Sequence, residues 1–165
     1  MCGLLPKSCG LRAFYMNKSS IEEQLQKNGI YVSATHGVSM YPMLRDRRDH
    51  VVIRPLPPGA RLRVYDVPLF RRPNGQYVLH RVLRVCDGYY QICGDHQYQL
   101  EQVPDSWVVG RLESFWRGNR QIDCAKNRGY RLYVRLWCGL FPARALWLRS
   151  WYFAKRTVKK LVGRG

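Results

Sequence analysis

Between residues 30 and 120 the chain is divided into short apolar runs by turn-forming residues, and this spacing limits its fold more than any other feature. Runs rich in β-branched and aromatic residues, bounded by Gly, Pro, Asn and Asp, are typical of β-strands. The dipeptides Asn74-Gly75 and Asp87-Gly88 each separate two such runs and predict β-hairpin turns. The pattern therefore predicts a mainly β domain, with strands at 51–53, 67–70, 77–85, 89–93 and 107–112.

Helices are expected only at the two ends of this domain. Ser20 and Glu23 form the Ser-x-x-Glu pattern of a capping box, which predicts a short helix over 21–27 that ends at Asn28-Gly29. Residues 1–18 precede this cap, and we expect them to form a flexible tail. The main globular unit is then a domain spanning residues 19–123.

Residues 124–165 have a different composition, with 11 Lys and Arg residues, no Asp or Glu, and many aromatic residues. Pro142 divides them into two predicted helices, because proline interrupts a helix interior. On a helical wheel the second helix has an apolar side opposite a basic side, as interfacial amphipathic helices do. The apolar side comprises Trp147, Trp151, Ala154, Val158 and Leu161, and the basic side Arg149, Arg156 and Lys160. Packing of the apolar side on the β domain is the alternative.

The formal net charge of +17 is concentrated in this basic segment. Residues 1–123 hold 17 basic and 11 acidic residues, a net +6, and residues 124–165 add +11. We expect residues 130–165 to contact an anionic membrane surface, which attracts polybasic aromatic segments. The sequence has no helix-turn-helix, zinc-finger or RNA-recognition signature, which argues against nucleic acid as the main partner.

No stretch of the sequence has the roughly 20 mostly apolar residues that a bilayer-crossing helix needs. The first 16 residues lack the basic start and sustained apolar core of a secretory signal. The prediction is therefore peripheral association with a bacterial cytoplasmic membrane, with a cytoplasmic location as the alternative.

The six cysteines show no paired zinc-ligand spacing. Cys86, Cys93 and His96 form at most a partial metal set, and reduced thiols are the simpler interpretation. We expect neither a metal nor another cofactor.

Ser39 is the candidate nucleophile, because it lies in a predicted turn between Gly37 and Pro42. A serine needs a general base, and the ordinary histidine pKa of about 6.5 suits that role near neutral pH. His80 is the preferred base, in a predicted strand on the same face as Val78 and Val82. His36 is closer in sequence but weaker as a candidate.

Asp95 follows the predicted strand 89–93 at a corner. A carboxylate in this position either orients a base or caps a turn. His50 lies in the polar run 45–50, where we expect it to be solvated.

Four segments closely resemble, in order and spacing, the conserved boxes of the signal peptidase I and LexA-type serine peptidase superfamily. They are Gly-Val-Ser-Met-Tyr-Pro-Met-Leu at 37–44, Tyr-Asp-Val-Pro-Leu-Phe-Arg-Arg at 65–72, Tyr-Val-Leu-His-Arg-Val at 77–82 and Ile-Cys-Gly-Asp at 92–95. The resemblance spans about residues 30–115 and implies a β domain of that superfamily. It matches the subtype in which a histidine, and not a lysine, is the base.

The resemblance implies that Ser39 is the nucleophile and His80 the base of a Ser/His dyad. It implies a supporting place for Asp95 and, at the position of a second aspartate of the histidine subtype, for Glu101. The backbone N–H of Ser39 is the implied oxyanion donor, and Gly37 stands where some relatives have a second donor. His96 replaces the usual Asn, and the family's N-terminal membrane anchor has no counterpart in this sequence.

Three functions follow as hypotheses. The first is a serine endopeptidase that cleaves extended, small-residue sites in membrane-proximal or precursor peptides. The second is a non-catalytic module that binds an anionic membrane or nucleic acid through its basic tail. The third, a self-cleaving LexA-like regulator, is disfavoured because the sequence has no Ala-Gly dipeptide and too few residues before the serine box for a DNA-binding domain.

Overall fold

The computed structural model describes residues 20–162, with side chains described for 20–151 and 153. Within this range the protein is mainly β, as predicted, and the expected tail at 1–18 lies outside it. In order, the elements are α1 (Ile21–Asn28), β1 (Tyr31–Ala34), β2 (Asp49–Arg54), β3 (Pro68–Arg71), β4 (Tyr77–Leu79), β5 (Arg81–Val85), β6 (Tyr89–Cys93), β7 (Glu101–Pro104), β8 (Val108–Arg117), β9 (Arg120–Asp123), α2 (Arg128–Gly139) and α3 (Phe141–Val162). A short 3-10 helix, Asp105–Trp107, joins β7 to β8.

The strands form two antiparallel sheets. The first has the order β1-β2-β8-β3-β4, with β9 also paired to β8, and the second has the order β5-β6-β7. Both predicted hairpin turns are confirmed, since β3 pairs with β4 and β5 with β6. Strands β1 and β4 are the two ends of the main path through the first sheet.

The helix α1 is fixed by its caps, as its sequence predicted. The Ser20 hydroxyl accepts a hydrogen bond from the Glu23 N–H while the Glu23 carboxylate accepts one from the Ser20 N–H. Gly29 ends the helix with a φ of 65°, a left-handed conformation that glycine adopts without strain. The inward-facing Leu25 then joins the core of the first sheet.

Each sheet contributes to a separate apolar cluster. The first cluster packs α1 and the residues after Ser39 against the first sheet, and includes Leu25, Met40, Met43, Leu44, Val51, Ile53, Leu69, Leu112 and Phe115. The second packs Phe70 of β3 and the preceding loop against the three-stranded sheet, and includes Leu62, Phe70, Val82, Tyr90, Ile92 and Val103.

The prediction of one continuous strand over 77–85 was wrong, because the chain leaves one sheet and enters the other at His80. Strand β4 ends at Leu79 in the first sheet, and β5 begins at Arg81 in the second. Two backbone hydrogen bonds hold the start of β5: Val82 N–H donates to Asp66 O at 2.9 Å, and Tyr65 N–H donates to Val82 O at 2.8 Å.

Two helices follow residue 127, and the predicted break is confirmed, with Pro142 as the second residue of α3. Helix α2 packs on the β body through Val134 and Cys138, which are buried. The side chains of Ala154, Val158 and Leu161, on the predicted apolar side, lie outside the described range. None of the helices within 20–162 is long and apolar enough to cross a membrane.

A buried ion pair between Arg81 and Asp95 joins the second sheet to α2. The two side chains are 1% and 2% exposed and form two hydrogen bonds, Nε to Oδ1 at 2.8 Å and NH2 to Oδ2 at 2.7 Å. Burial opposes the arginine charge, but Asp95 outweighs it and raises the pKa of Arg81 well above its ordinary value. From α2, the Tyr133 hydroxyl donates to Asp95 Oδ2 and the Trp137 indole N–H donates to the Asp95 backbone carbonyl oxygen, each at 3.1 Å.

Replacement of Arg81 by methionine is expected to lower the free energy of unfolding by about 3–5 kcal/mol, because it leaves the Asp95 carboxylate buried without its cation. The matched control is Arg54→Met, which breaks an equally short ion pair with Glu113 at 2.7 Å whose side chains are 53% and 44% exposed. That variant is expected to lose less than about 1 kcal/mol. Urea unfolding of the three proteins measures both values, and equal losses would contradict the structural role of the buried pair.

Candidate active site

Ser39 lies on a turn that follows β1, where sequence analysis placed it. The turn is closed by a hydrogen bond from Tyr41 N–H to Val38 O at 3.1 Å and by one from Leu44 N–H to Met40 O at 2.9 Å. A turn presents its side chains to a neighbouring cavity without burying its backbone. Ser39 lines such a cavity.

Residues 94–96, which follow β6, pack against the backbone of this turn. His96 N–H donates a hydrogen bond to the Ser39 carbonyl oxygen at 2.8 Å. A Cβ atom on Gly94 would lie 2.6 Å from the same oxygen, closer than van der Waals radii allow. Glycine is therefore required at position 94 for the two segments to approach each other.

The backbone amides near Ser39 differ in their availability. The Gly37 N–H donates to Asp46 Oδ1 at 2.7 Å, so it is already engaged. In the described part of the chain, the Ser39 N–H has no hydrogen-bond acceptor. The Ser39 N–H, the donor implied by the resemblance, therefore has no competing acceptor among the described residues.

One cavity of about 560 Å³ contains both residues of the predicted dyad, Ser39 and His80. This volume is in the range of small-molecule and peptide side-chain sites. Its walls come from α1, both end strands of the first sheet and the Ser39 turn. The apolar walls include Ile21, Tyr31, Met40, Leu44, Val51, Ile53, Leu69, Val78 and Leu79.

His80 is only 4% exposed and points its Nδ1 atom toward Glu101, with 3.8 Å between Nδ1 and Oε2. Because Nδ1 is the ring nitrogen that faces the carboxylate, Nε2 is the nitrogen that can accept a proton from a nucleophile. Within the described part of the chain, Ser39 and His80 form no direct hydrogen bond with each other. Such bonds are often long before substrate binds and tighten in the Michaelis complex.

The His80 ring is neutral at physiological pH. Burial lowers its pKa to about 4; the Glu101 carboxylate opposes this shift, and the Arg72 guanidinium adds to it. A histidine must be neutral to accept a proton, and His80 is neutral; its pKa of about 4 nevertheless makes it a weaker base than the ordinary histidine expected from the sequence.

Glu101 is held in place by Arg72, a residue that sequence analysis did not single out. Arg72 Nε and NH2 donate to the two carboxylate oxygens of Glu101 at 2.7 and 2.6 Å, and NH1 donates to Gln76 Oε1 at 3.0 Å. A bidentate guanidinium fixes both the position and the plane of a carboxylate. Nothing in the sequence distinguishes Arg72 from Arg71 beside it, so no sequence signal was available to find it.

Asp95, the other predicted supporting carboxylate, pairs with Arg81 and not with His80. Asp95 reaches the site only indirectly. Its two chain neighbours, Gly94 and His96, both contact the Ser39 carbonyl oxygen. The structure thus separates two roles: Glu101 faces the base, and Asp95 braces the segment behind the nucleophile. His36 lines the same cavity, while His50 is an exposed residue of β2.

The side chains within the described range include no group of three or more that could hold a metal ion. Of the predicted partial set, Cys93 is buried, and burial raises the pKa of its thiol to about 12. This favours the protonated thiol, whereas a metal binds the thiolate.

Comparison with known proteins does not assign the chain to a family, since no protein-family model and no curated protein matches it.

Replacement of Gly94 by alanine is expected to lower the free energy of unfolding by about 1–3 kcal/mol, because the added methyl group overlaps the Ser39 carbonyl oxygen. The control is Gly139→Ala at the end of α2, where an added Cβ meets no atom within 4 Å. Denaturant unfolding measures both. A Gly94→Ala protein as stable as the parent would contradict the close contact.

The folded protein is expected to lose stability as the pH falls from about 6.5 to about 4. Across this window the unfolded chain binds a proton at His80 and the folded chain does not, so protonation favours unfolding. Denaturant unfolding at a series of pH values measures the slope, and an NMR titration of the His80 imidazole should have its midpoint near pH 4.

Two variants are expected to move the midpoint of the His80 titration in opposite directions. Arg72→Gln should raise it, because Arg72 lowers the pKa of His80, and Glu101→Gln should lower it, because Glu101 raises that pKa. The matched control His50→Asn should keep the parent's His80 midpoint, because it leaves the surroundings of His80 unchanged. A parent midpoint at the ordinary histidine value would show that the ring is not buried as described.

Proposed function

We propose that this protein is a serine endopeptidase of the signal peptidase and LexA type that uses Ser39 and His80 as a dyad. The observation that carries the proposal is that a turn serine and a neutral, buried histidine share one cavity, with the Glu101 carboxylate 3.8 Å from the histidine's Nδ1. The four segments that resemble the superfamily supply the same pair. Two antiparallel sheets with the histidine at their junction are compatible with that type of β domain.

In the proposed reaction, His80 Nε2 accepts the proton of the Ser39 hydroxyl as Oγ attacks a peptide carbonyl. The carbonyl oxygen of the tetrahedral intermediate becomes an anion, to which the Ser39 N–H donates a hydrogen bond. The protonated His80 then gives its proton to the leaving amine, and an ester to Ser39 remains. Water, deprotonated by His80, attacks that ester, and breakdown of the second intermediate releases the acid and returns the proton to Ser39.

Glu101 acts in this scheme through His80. The imidazolium that forms during each step carries a positive charge in a buried site, and a carboxylate close to Nδ1 stabilises that charge. Arg72 keeps the carboxylate in position by its two hydrogen bonds. We assign Glu101 and Arg72 as positioning residues, because they act on the reacting atoms through the histidine.

The substrate we propose is a peptide bound in extended form along the cavity. Residues of both end strands, β1 and β4, line it, so the first sheet curls round the site. End strands have backbone N–H and C=O groups free to pair with an added strand. Precursor or membrane-proximal peptides are the proposed substrate class, since an extended segment outside a folded core is accessible to such a site.

We also propose that the enzyme works as a peripheral protein at a bacterial cytoplasmic membrane. The support is the basic, aromatic composition of residues 124–165, which contain no acidic residue.

Replacement of Ser39 by alanine or of His80 by asparagine is expected to reduce peptide cleavage by about a thousandfold or more, because each removes a reacting group. A mixture of synthetic peptides of diverse sequence, digested and read by mass spectrometry, gives cleavage sites and rates for many sequences at once. Matched controls are Ser106→Ala and His50→Asn, exposed residues away from the cavity, which should cleave at the parent's rate.

Cleavage by Ser39→Ala at the parent's rate, or a parent that cleaves no peptide in the mixture, would contradict the proposed activity. The second result would favour the non-catalytic binding module. Circular dichroism of every variant separates loss of chemistry from loss of fold.

A further inference from the structure

We propose that one face of the consecutive helices α2 and α3 docks flat on an anionic lipid bilayer. This docking face consists of Leu140, at the junction, and the exposed apolar residues of the two helices: Leu132, Leu136, Leu146, Trp147, Trp151 and Phe153. The inference deepens the proposal of a peripheral membrane protein, but it is independent of whether Ser39 and His80 cleave peptides.

Helix α2 has two apolar sides, of which one is buried against the body and the other is exposed. One side faces the body: Val134 and Cys138 are buried, and Tyr133 and Trp137 are bonded to Asp95. The other side points away, with Leu132, Leu136 and Leu140 spaced four residues apart. They are 59%, 58% and 61% exposed. Residues four apart lie on one side of a helix, so the leucines form a continuous outward stripe.

Helix α3 extends this apolar surface. Its inward side is secured to α2, where the Arg144 guanidinium lies 5.0 Å from the Trp137 ring centre and 5.2 Å from that of Phe141. Leu148 on the same side is buried. On the outward side Trp147 and Trp151 stack at 6.3 Å between ring centres, and tryptophan favours the interface between water and lipid.

The charges around this face select an anionic surface. Arg131 and Arg135 are exposed on α2, on the flank of the leucine stripe that turns toward the β body. Each arginine near an anionic bilayer strengthens binding by about fivefold. The whole segment 124–165 has 11 basic residues and no acidic one, and the carboxylates that share a cavity with Arg131 and Arg135 belong to the β body.

The apolar and charged features together favour a bilayer over other occupants. A second copy of the same helices would bring arginines against arginines. Nucleic acid would bind the arginines through its phosphates and leave the exposed leucines in water. A lipid surface offers anionic headgroups and an apolar layer a few ångströms apart, which matches both features.

Co-sedimentation of the full chain with lipid vesicles tests the docking face. The protein should sediment with vesicles of mixed phosphatidylcholine and phosphatidylglycerol, much less with phosphatidylcholine alone, and less as salt concentration rises. Arg131→Gln/Arg135→Gln should weaken binding by about 25-fold, the product of two fivefold losses. Leu132→Ser/Leu136→Ser should weaken it by roughly tenfold.

Matched controls come from the body of the protein. Leu100 is 51% exposed, close to the value for the two leucines, and Leu100→Ser should bind vesicles as the parent does. Arg48 and Arg84 are exposed, and Arg48→Gln/Arg84→Gln removes the same charge as the arginine pair on α2. This double variant should bind more tightly than Arg131→Gln/Arg135→Gln.

A second measurement reports insertion directly and needs no destabilising change. Vesicles with brominated acyl chains should quench part of the tryptophan fluorescence. Trp147→Phe/Trp151→Phe should abolish that quenching, while Trp116→Phe, at an exposed tryptophan of β8, should retain it.

Four results would overturn the proposal: no binding to anionic vesicles, equal binding to phosphatidylcholine alone, parent-like binding by both α2 double variants, or a dimer in light scattering that the leucine variant dissolves. Peptide cleavage measured on the same samples keeps this test separate from the proposed activity, since either can fail while the other stands.

Discussion

The buried ion pair between Arg81 and Asp95 is the interaction on which the rest of the site depends. Arg81 directly follows His80, and Asp95 lies between Gly94 and His96, the two residues that touch the Ser39 carbonyl. One pair of side chains therefore fixes the backbone on both sides of the cavity. Buried charges cost several kcal/mol each to desolvate, so such a pair persists only where further hydrogen bonds satisfy it. Here they come from the Tyr65 carbonyl oxygen and the hydroxyls of Tyr130 and Tyr133, along with one unusual sulfur contact to Met43.

Much of the secondary structure was predictable because its signals are local. The capping box of α1, the two hairpin turns and the break before Pro142 each depend on residues only a few positions apart. Strands β1, β7 and β9 were missed, because Tyr31–Ala34, Glu101–Pro104 and Arg120–Asp123 are four-residue segments without a strong strand pattern whose extended form comes from pairing with β2, β6 and β8. The break at His80 was missed for the same reason. Residues 77–85 have an unbroken strand pattern, and only their partners in two different sheets divide them.

The candidate site divides in the same way. Ser39, His80, Asp95 and Glu101 were all named as candidates from the order of short motifs, and the first two line one cavity. The partners of the two carboxylates were not predictable. Arg72 and Glu101 are 29 positions apart, and Arg81 and Asp95 are 14 apart, so their pairing depends on how the two sheets meet. A sequence motif identifies the type of residue at a site more reliably than the neighbour that orients it.

The low pKa of His80 and the proposed membrane location are physically compatible. An anionic bilayer with a surface potential of about −30 mV concentrates protons, which lowers the local pH by about half a unit. A histidine with the ordinary pKa of about 6.5 would lose much of its neutral form there. His80, with a pKa of about 4, stays neutral with a wide margin. Burial of the base thus keeps His80 neutral at the acidic surface on which helices α2 and α3 are proposed to dock.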